Sequence, residues 1–351
     1  MLCSAFSRRM GGALRTFKAR ISMFSSAAGG SSTSNELVFF FNDNQKVKLP
    51  DNHKFPMDKY RKTRDILEEA YSDRKNLTFR ESPMATLEEL QTTHCPDYIN
   101  RFLTGTMTER EIRVSGFPWS DNGVKRALTS VGGTVAAMRQ VMDNGGLGSG
   151  AVSAHLAGGT HHAMYARAEG FCIFSDIAVA ANLALQEYPQ IKKILIIDCD
   201  VHQGNGNAVL FKDDERVFTF SMQCEGNIFS KKQQSDVDVD LPLGIGDTEY
   251  LAKLRSWLAP FLMDIVKPDL VFYQSGVDSS EFDRLGKLKM TREGLRTRNS
   301  LIYTAVKRRG IPMVVTMGGG YPKSLDPDSE AFTSVIGAHA DVYKQIVEYY
   351  G

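Results

Sequence analysis

Cysteine is scarce and unpatterned in this chain of 351 residues: Cys3, Cys95, Cys172, Cys199 and Cys224 form neither a CxxC pair nor an even framework. That excludes a zinc ribbon and a disulfide scaffold and fits a reducing compartment. No stretch approaches the roughly 20 apolar residues that a membrane-crossing helix needs, so no membrane span is expected. Neither sign of charge prevails. Lys and Arg number 42 against 41 Asp and Glu, a formal net charge of +1, too small to steer nucleic acid or hold a membrane surface by charge alone. Direct nucleic-acid binding is therefore not expected. Repeats are missing too, and so is any Pro/Gly/Ser linker after residue 35, because "DNGGLGSG" is short and lies between a helical and a strand-like pattern. The remaining chain, long enough for a full hydrophobic core, reads as one domain over residues 36–351.

The first 35 residues lack something else. No acidic residue precedes Glu36, while five basic residues, Arg8, Arg9, Arg15, Lys18 and Arg20, lie among many serines. That is the composition of an organelle transit peptide, and there is no continuous apolar stretch of the kind that directs secretion. Import into a mitochondrion or plastid is expected; a disordered tail, with the protein in nucleus or cytoplasm, is the alternative.

What the sequence does contain is alternation. "ELVFFF", "AVSAHL", "KKILII", "RVFTFSM", "DLVFYQSG" and "IPMVVTMG" read as strands. Between and after them, patterns such as "MDKYRKTRDILEEAY", "SDIAVAANLALQEYP", "TEYLAKLRSWLAPFLMDIVK" and "EAFTSVIGAHADVYKQIVEYY" space apolar residues as helices do. Strands alternating with helices predict an α/β fold with a single open, mainly parallel central sheet flanked by helices.

Polar residues gather at the ends of these strands. "AVSAHL" runs into "AGGTHHA", "ILII" into "DCDVHQGNG", "LVFYQSG" into "VDSSEFDRLG" and "MVVTM" into "GGGY", and ligands of open α/β sheets sit beyond the carboxyl ends of the strands. Any one of these motifs taken alone reads as a turn, a cap or a satisfied core histidine. Ionisable groups gathered at one sheet edge are costly to bury without a metal or mutual pairing. In an extended chain, residues two apart share a face, so Asp198, Asp200 and His202 point the same way. Asp200 and His202 can grip one ion, with Asp278 as a third ligand from a neighbouring strand. Three protein ligands leave positions open for water and substrate. Carboxylate and imidazole suit Zn2+, with Fe2+, Co2+ or Mn2+ as alternatives. Cys199, between the two aspartates, is expected to face the core.

The ordered set "GGTHHA … GFC … DCDVHQGNG … GVDSSEFDRLG … GGGY" resembles the metal-dependent histone deacetylase family, of the arginase/deacetylase fold, over about residues 36–350. "DVHQGNG" with "GVD…DRLG" is most similar to its class IV branch. The resemblance implies that Asp200, His202 and Asp278 hold the metal. It makes His162 the general base and acid and His161 its electrostatic partner, fixed by Asp198. Tyr321 would donate its hydroxyl to the carbonyl oxygen as negative charge develops there. Gly319, in the glycine run before Tyr321, lets backbone approach the substrate closely. Gly170, Phe171 and Phe229 would line a channel for an acyl-lysine side chain. Ser221 and the backbone from Asp198 to His202 match a family site for a structural K+.

One position departs from the class I and II pattern: Asn205 stands where those enzymes have an Asp. A neutral amide orients His162 but stabilises its imidazolium less than a carboxylate does, which leaves room for acyl groups longer than acetyl. Asp121, in "SGFPWSDNG", is the stand-in for the loop aspartate that fixes peptide backbone in other classes. The implied substrate is an acyl-lysine protein or peptide. Rival readings are a hydrolase of small acylated amines such as acetylpolyamines, a non-catalytic acyl-lysine binder, and a two-Mn2+ ureohydrolase. The last would need carboxylates where Gly204 and Ser280 stand. His53, His94, His155 and His339 show no partner pattern, and Trp119 and Trp257 read as core or rim.

Overall fold

The structure, a computed structural model, describes residues 36–51, 53–227 and 229–351. The transit-peptide expectation for residues 1–35 lies outside the described residues, and the described residues from Glu36 onward form one compact unit. Its strands are β1 (Leu37–Phe41), β2 (Leu77–Glu81), β3 (Val152–His155), β4 (Ile194–Asp198), β5 (Val217–Cys224), β6 (Val237–Leu241), β7 (Leu270–Gln274) and β8 (Met313–Thr316). They make one sheet in the order β2-β1-β3-β8-β7-β4-β5-β6. Every neighbouring pair is parallel, so the sheet expected to be mainly parallel is wholly so.

The apolar runs are continuous because helices cover both faces. Leu195, Ile197, Val271, Tyr273 and Val315 point to one side, against α1 (Lys59–Ala70), α8 (Asp247–Trp257), α9 (Arg292–Lys307) and α10 (Glu330–Tyr350). Ile194, Ile196, Leu270, Phe272 and Val314 point to the other. That face packs on α2 (Leu87–Gln91), α3 (Pro96–Leu103), α5 (Asp121–Asn144) and α6 (Asp176–Glu187). Two short helices, α4 (Glu109–Ser115) and α7 (Asn205–Phe211), belong to the loops beyond the strands.

β2 and β6, absent from the sequence reading, are the two edge strands. Their sequences, LTFRE and VDVDL, carry charges that keep a sheet edge in water. The long helical pattern at 248–267 breaks after α8 into a π-helical turn, Leu258–Met263, because Pro260 offers no N–H to continue the ladder.

The topology positions the site. β3, β8, β7 and β4 are contiguous at the centre of the sheet. In register their last residues align, Asp198 with Gln274, Gln274 with Thr316 and Thr316 with His155. All four candidate loops therefore leave the same edge side by side.

Candidate active site

β4 ends on Asp198, and the chain then turns rather than running on extended. The backbone N–H of Asp200 donates to Asp198 Oδ1 at 3.1 Å, and that of His202 donates to Asp200 Oδ1 at 3.0 Å. Two successive turns closed by aspartate side chains thus hold Asp198, Asp200 and His202 on one side. This corrects the strand-alternation argument while keeping its outcome. Cys199 is fully buried in the core, as expected.

Asp200, His202 and Asp278 bring one ligand atom each to within 4.8 Å of one another. His202 Nδ1 lies 3.1 Å from both Asp200 Oδ1 and Asp278 Oδ2. Both carboxylates are buried, and burial together with the Asp200 charge pushes the Asp278 pKa up to about 6. Two buried carboxylates sharing one imidazole need a cation to offset them. The space for one is kept by Gly319: a Cβ there would lie 2.3 Å from Asp278 Oδ2 and 2.6 Å from Asp200 Oδ2. The donor set of one nitrogen and carboxylate oxygens fits a divalent ion of the zinc type. Among the described residues no second cluster of this kind is present, which argues against a two-metal ureohydrolase.

Beside the ligands, the rings of His161 and His162 lie 3.9 Å apart. His161 Nδ1–H donates to Asp198 Oδ2 at 2.6 Å. His162 Nδ1–H donates to Asn205 Oδ1, also at 2.6 Å, leaving Nε2 free to accept a proton. The two environments differ. Burial works against a charged His161, but Asp198 and Asp200 outweigh it and push its pKa up to about 9. His162 is held well below the usual histidine value by burial and by the neighbouring His161 and His202. Two titratable groups driven apart in this way mark a division of acid–base labour. Burial, then the charges of Asp200 and Asp278, raise Tyr321 well above the usual phenol value, so it keeps its proton as a donor.

Gly170, Phe171, His161, His162, Gly319 and Tyr321 line one cleft. Gly170 and Phe171 both have positive φ, 53° and 67°, and their N–H groups donate to the carbonyls of Val114 and Ser115. Phe229, 53% exposed, stands edge-on to His162 with ring centroids 4.7 Å apart. Asp121 is exposed at the first position of α5. Trp119 lines the cleft and donates its indole N–H to Phe102 O.

Several residues that position this site were not read as site residues from the sequence, although Asp283 is the aspartate of the quoted "DRLG". Gln274 Nε2 donates to Asp200 Oδ2 at 2.9 Å. Asp176, at the start of α6, accepts from Gly159 N, Thr160 N and Thr160 Oγ1, fixing the loop that carries both histidines. Asp283 accepts from the backbone N–H of Tyr321, Leu285 and Gly286. Arg298, fully buried, donates to the carbonyls of Cys199, Ser275 and Gly276, next to the loops bearing the ligands. Three histidines with no partner pattern prove to be bonded: His53 to Gly116 O, His94 to Met164 O, His155 to Ser82 and Thr134. His339 is buried with neither ring nitrogen hydrogen-bonded among the described residues, against Gly320.

The histone deacetylase domain family model matches residues 53–336. The chain belongs to the histone deacetylase family. It is 40% identical over 296 residues to an uncharacterized protein of Picosynechococcus sp., covering 84% of this chain and 95% of that one. Histone deacetylase 2 of Arabidopsis thaliana is 29% identical over 245 residues, with 67% of this chain and 61% of the relative covered. Polyamine deacetylase HDAC10 of Rattus norvegicus is 30% identical over 267 residues, 70% and 44% covered. The chain thus spans less than two thirds of these two deacetylases. In fold it is similar to the HD domain of HDA15, at TM-score 0.71 and 21% identity over 90% of each chain. An HDAC homologue solved in complex with SAHA gives TM-score 0.71 and 23% identity over 89% of this chain and 84% of that one. The fold is the α/β fold of the deacetylases. Family membership supports a deacetylase-type hydrolase and implies a divalent metal, usually Zn2+.

Proposed function

We propose that this chain is a Zn2+-dependent, class IV-like deacylase that removes acyl groups, acetyl or longer, from the lysine side-chain amine of proteins. The observation that carries the reading is a cleft lined by a histidine pair in unlike environments, Tyr321 and Asp200, with Asp200 clustered with His202 and Asp278 as three ligand donors. When bound, the ion would be held by Asp200, His202 and Asp278 and would supply Lewis acidity towards water and a carbonyl oxygen. His162 Nε2 takes the proton of the attacking water and returns it to the leaving amine. His161, charged and held by Asp198, stabilises negative charge as it develops, and the Tyr321 hydroxyl donates to the same oxygen. Asn205 orients His162 without lending it a full charge, the feature that supports the class IV-like assignment. Ser221, whose hydroxyl accepts from Gly204 N beside Asp198, supports the structural K+ proposed there. The basic, acid-free stretch before Glu36 supports mitochondrial or plastid import.

The test uses the full chain loaded with Zn2+, or with Fe2+ for comparison, on peptides carrying acetyl- to long-chain acyl-lysine and on acetylated polyamines. Hydrolysis of acyl-lysine peptides, lost by about a hundredfold or more in Tyr321→Phe at unchanged metal content, is expected. Uniform inactivity of metal-loaded protein would reject the hydrolase and favour an acyl-lysine binder. Cleavage of polyamines alone would move the substrate to small amines.

A further inference from the structure

The cleft does not stop at Tyr321. It continues along an aromatic wall that includes Phe55, Phe117 and Trp119, and two cations, Lys59 and Arg126, line it. Lys59 is 1% exposed. Its Nζ donates to Gly318 O at 2.9 Å and lies 3.5 Å from Gly320 O, 5.3 Å from the Tyr321 ring centre and 5.7 Å from that of Phe55. Arg126 lies further along the same wall. Its guanidinium carbon is 4.4 Å from the centre of the Tyr60 ring and 5.9 Å from that of Phe55.

Neither cation has a carboxylate partner among the described residues. Nearby acids are committed elsewhere: Asp43 and Glu68 pair with Arg64, and Asp65 with Arg61. The carboxylate that does line the cleft, Asp200, belongs to the ligand cluster. Ring faces and carbonyls offset the buried Lys59 charge only in part, and an anion that reaches the half-buried Arg126 guanidinium gains charge-assisted, bidentate hydrogen bonds. A purely aliphatic acyl chain would cover the aromatic wall and leave both charges unanswered.

We propose that this pocket selects acyl-lysines whose chain ends in a carboxylate, succinyl or glutaryl, with Arg126 as the residue that determines the preference and Lys59 beside it. The proposal rests on the deacylase reading. The reaction is the same amide hydrolysis: the C–N bond breaks, the acyl carbon takes OH from water, the amine takes the proton, and a dicarboxylic acid leaves. Phe55 links the two ends of the cleft: its ring stands 6.1 Å from that of Tyr321 and 5.9 Å from the Arg126 guanidinium carbon, so an acyl chain lying along Phe55 can run from the Tyr321 end towards Arg126. Acetyl carries nothing that reaches it.

The experiment compares peptides of one sequence bearing acetyl-, butyryl-, succinyl- or glutaryl-lysine, with free succinate as a further arm. It measures both hydrolysis and binding by fluorescence anisotropy on the Zn2+-loaded full chain. Succinyl has the chain length of butyryl, so their ratio isolates the terminal charge. A kcat/KM ratio of about tenfold or more in favour of an acidic acyl group is expected. Arg126→Gln should reverse that ratio and Arg126→Lys should retain part of it. Turnover of acetyl and butyryl with rejection of both acidic groups, or a ratio that Arg126→Gln leaves in place, overturns this inference and leaves the deacylase standing. Free succinate binding as tightly as the succinyl peptide overturns it in favour of a site for a free carboxylate. Arg126-dependent binding of the succinyl peptide without turnover of any peptide sustains the pocket and overturns the hydrolase.

Discussion

Burial and the ionisable neighbours His161 and His202 set the character of the proposed general base His162, and Asn205 gives it a neutral hydrogen-bond partner. His162 is buried, faces His161 and His202, and donates Nδ1–H to a neutral amide oxygen, so its imidazolium is poorly stabilised and its Nε2 stays unprotonated well below the usual histidine range. Asn205→Asp would put a carboxylate at the same 2.6 Å contact and raise the His162 pKa. The acidic limb of a kcat/KM profile reports protonation of the free enzyme's base. That limb should therefore move to higher pH in Asn205→Asp, with peptide and ion unchanged. A limb that stays in place or moves down would show that His162 is not the base.

At the level of elements, the central strands were legible because each is a short apolar run with helices on both sides, as in ILIID and LVFYQ. The edge strands were not, since β2 and β6 bury only part of their length and read as polar loop. The residues proposed as ligands and as acid–base groups could be picked out because they are concentrated just past strand ends. Groups that aim them could not, because Asp176, Gln274 and Arg298 acquire partners through topology rather than spacing. His94 shows what such a hidden connection does. Its Nε2 accepts from Ser175 N, the N-cap of α6, and its Nδ1–H donates to Met164 O, an arrangement available to the neutral ring alone. Burial lowers its pKa to about 4 from the ordinary 6.5, so between those values the unfolded chain binds more protons than the folded one. Stability from this group is present above pH 6.5 and is lost as pH falls towards 4, by about 3 kcal/mol. His94→Gln keeps a donor and an acceptor without titrating. Unfolding free energies from urea titrations of metal-free protein at pH 7 and pH 4.5 should differ less in the variant, by about 2 kcal/mol, and an equal loss in both proteins would refute the assignment.

For the whole molecule, the proposed ligands tie together loops that the chain places far apart. Asp200 and His202 follow β4 and Asp278 follows β7, strands adjacent in the sheet but more than seventy residues apart in sequence. Val201 N already donates to Asp278 Oδ1 at 2.8 Å, and Arg298 clamps the carbonyls of both loops, so the site is largely preformed in the folded chain and has no counterpart in the unfolded one. An ion that binds the folded state alone adds RT ln(1 + [L]/Kd) to stability, about 2.7 kcal/mol at a hundredfold excess over Kd. Zn2+ added to chelator-treated protein should therefore raise its melting temperature by several degrees. Both His202→Ala and Gly319→Ala should abolish the rise by different routes, the first by removing a ligand and the second by putting a methyl group against the two carboxylates. A rise of the same size in either variant would mean that Zn2+ stabilises the fold somewhere other than between Asp200, His202 and Asp278, and the metal-site assignment would fall with it.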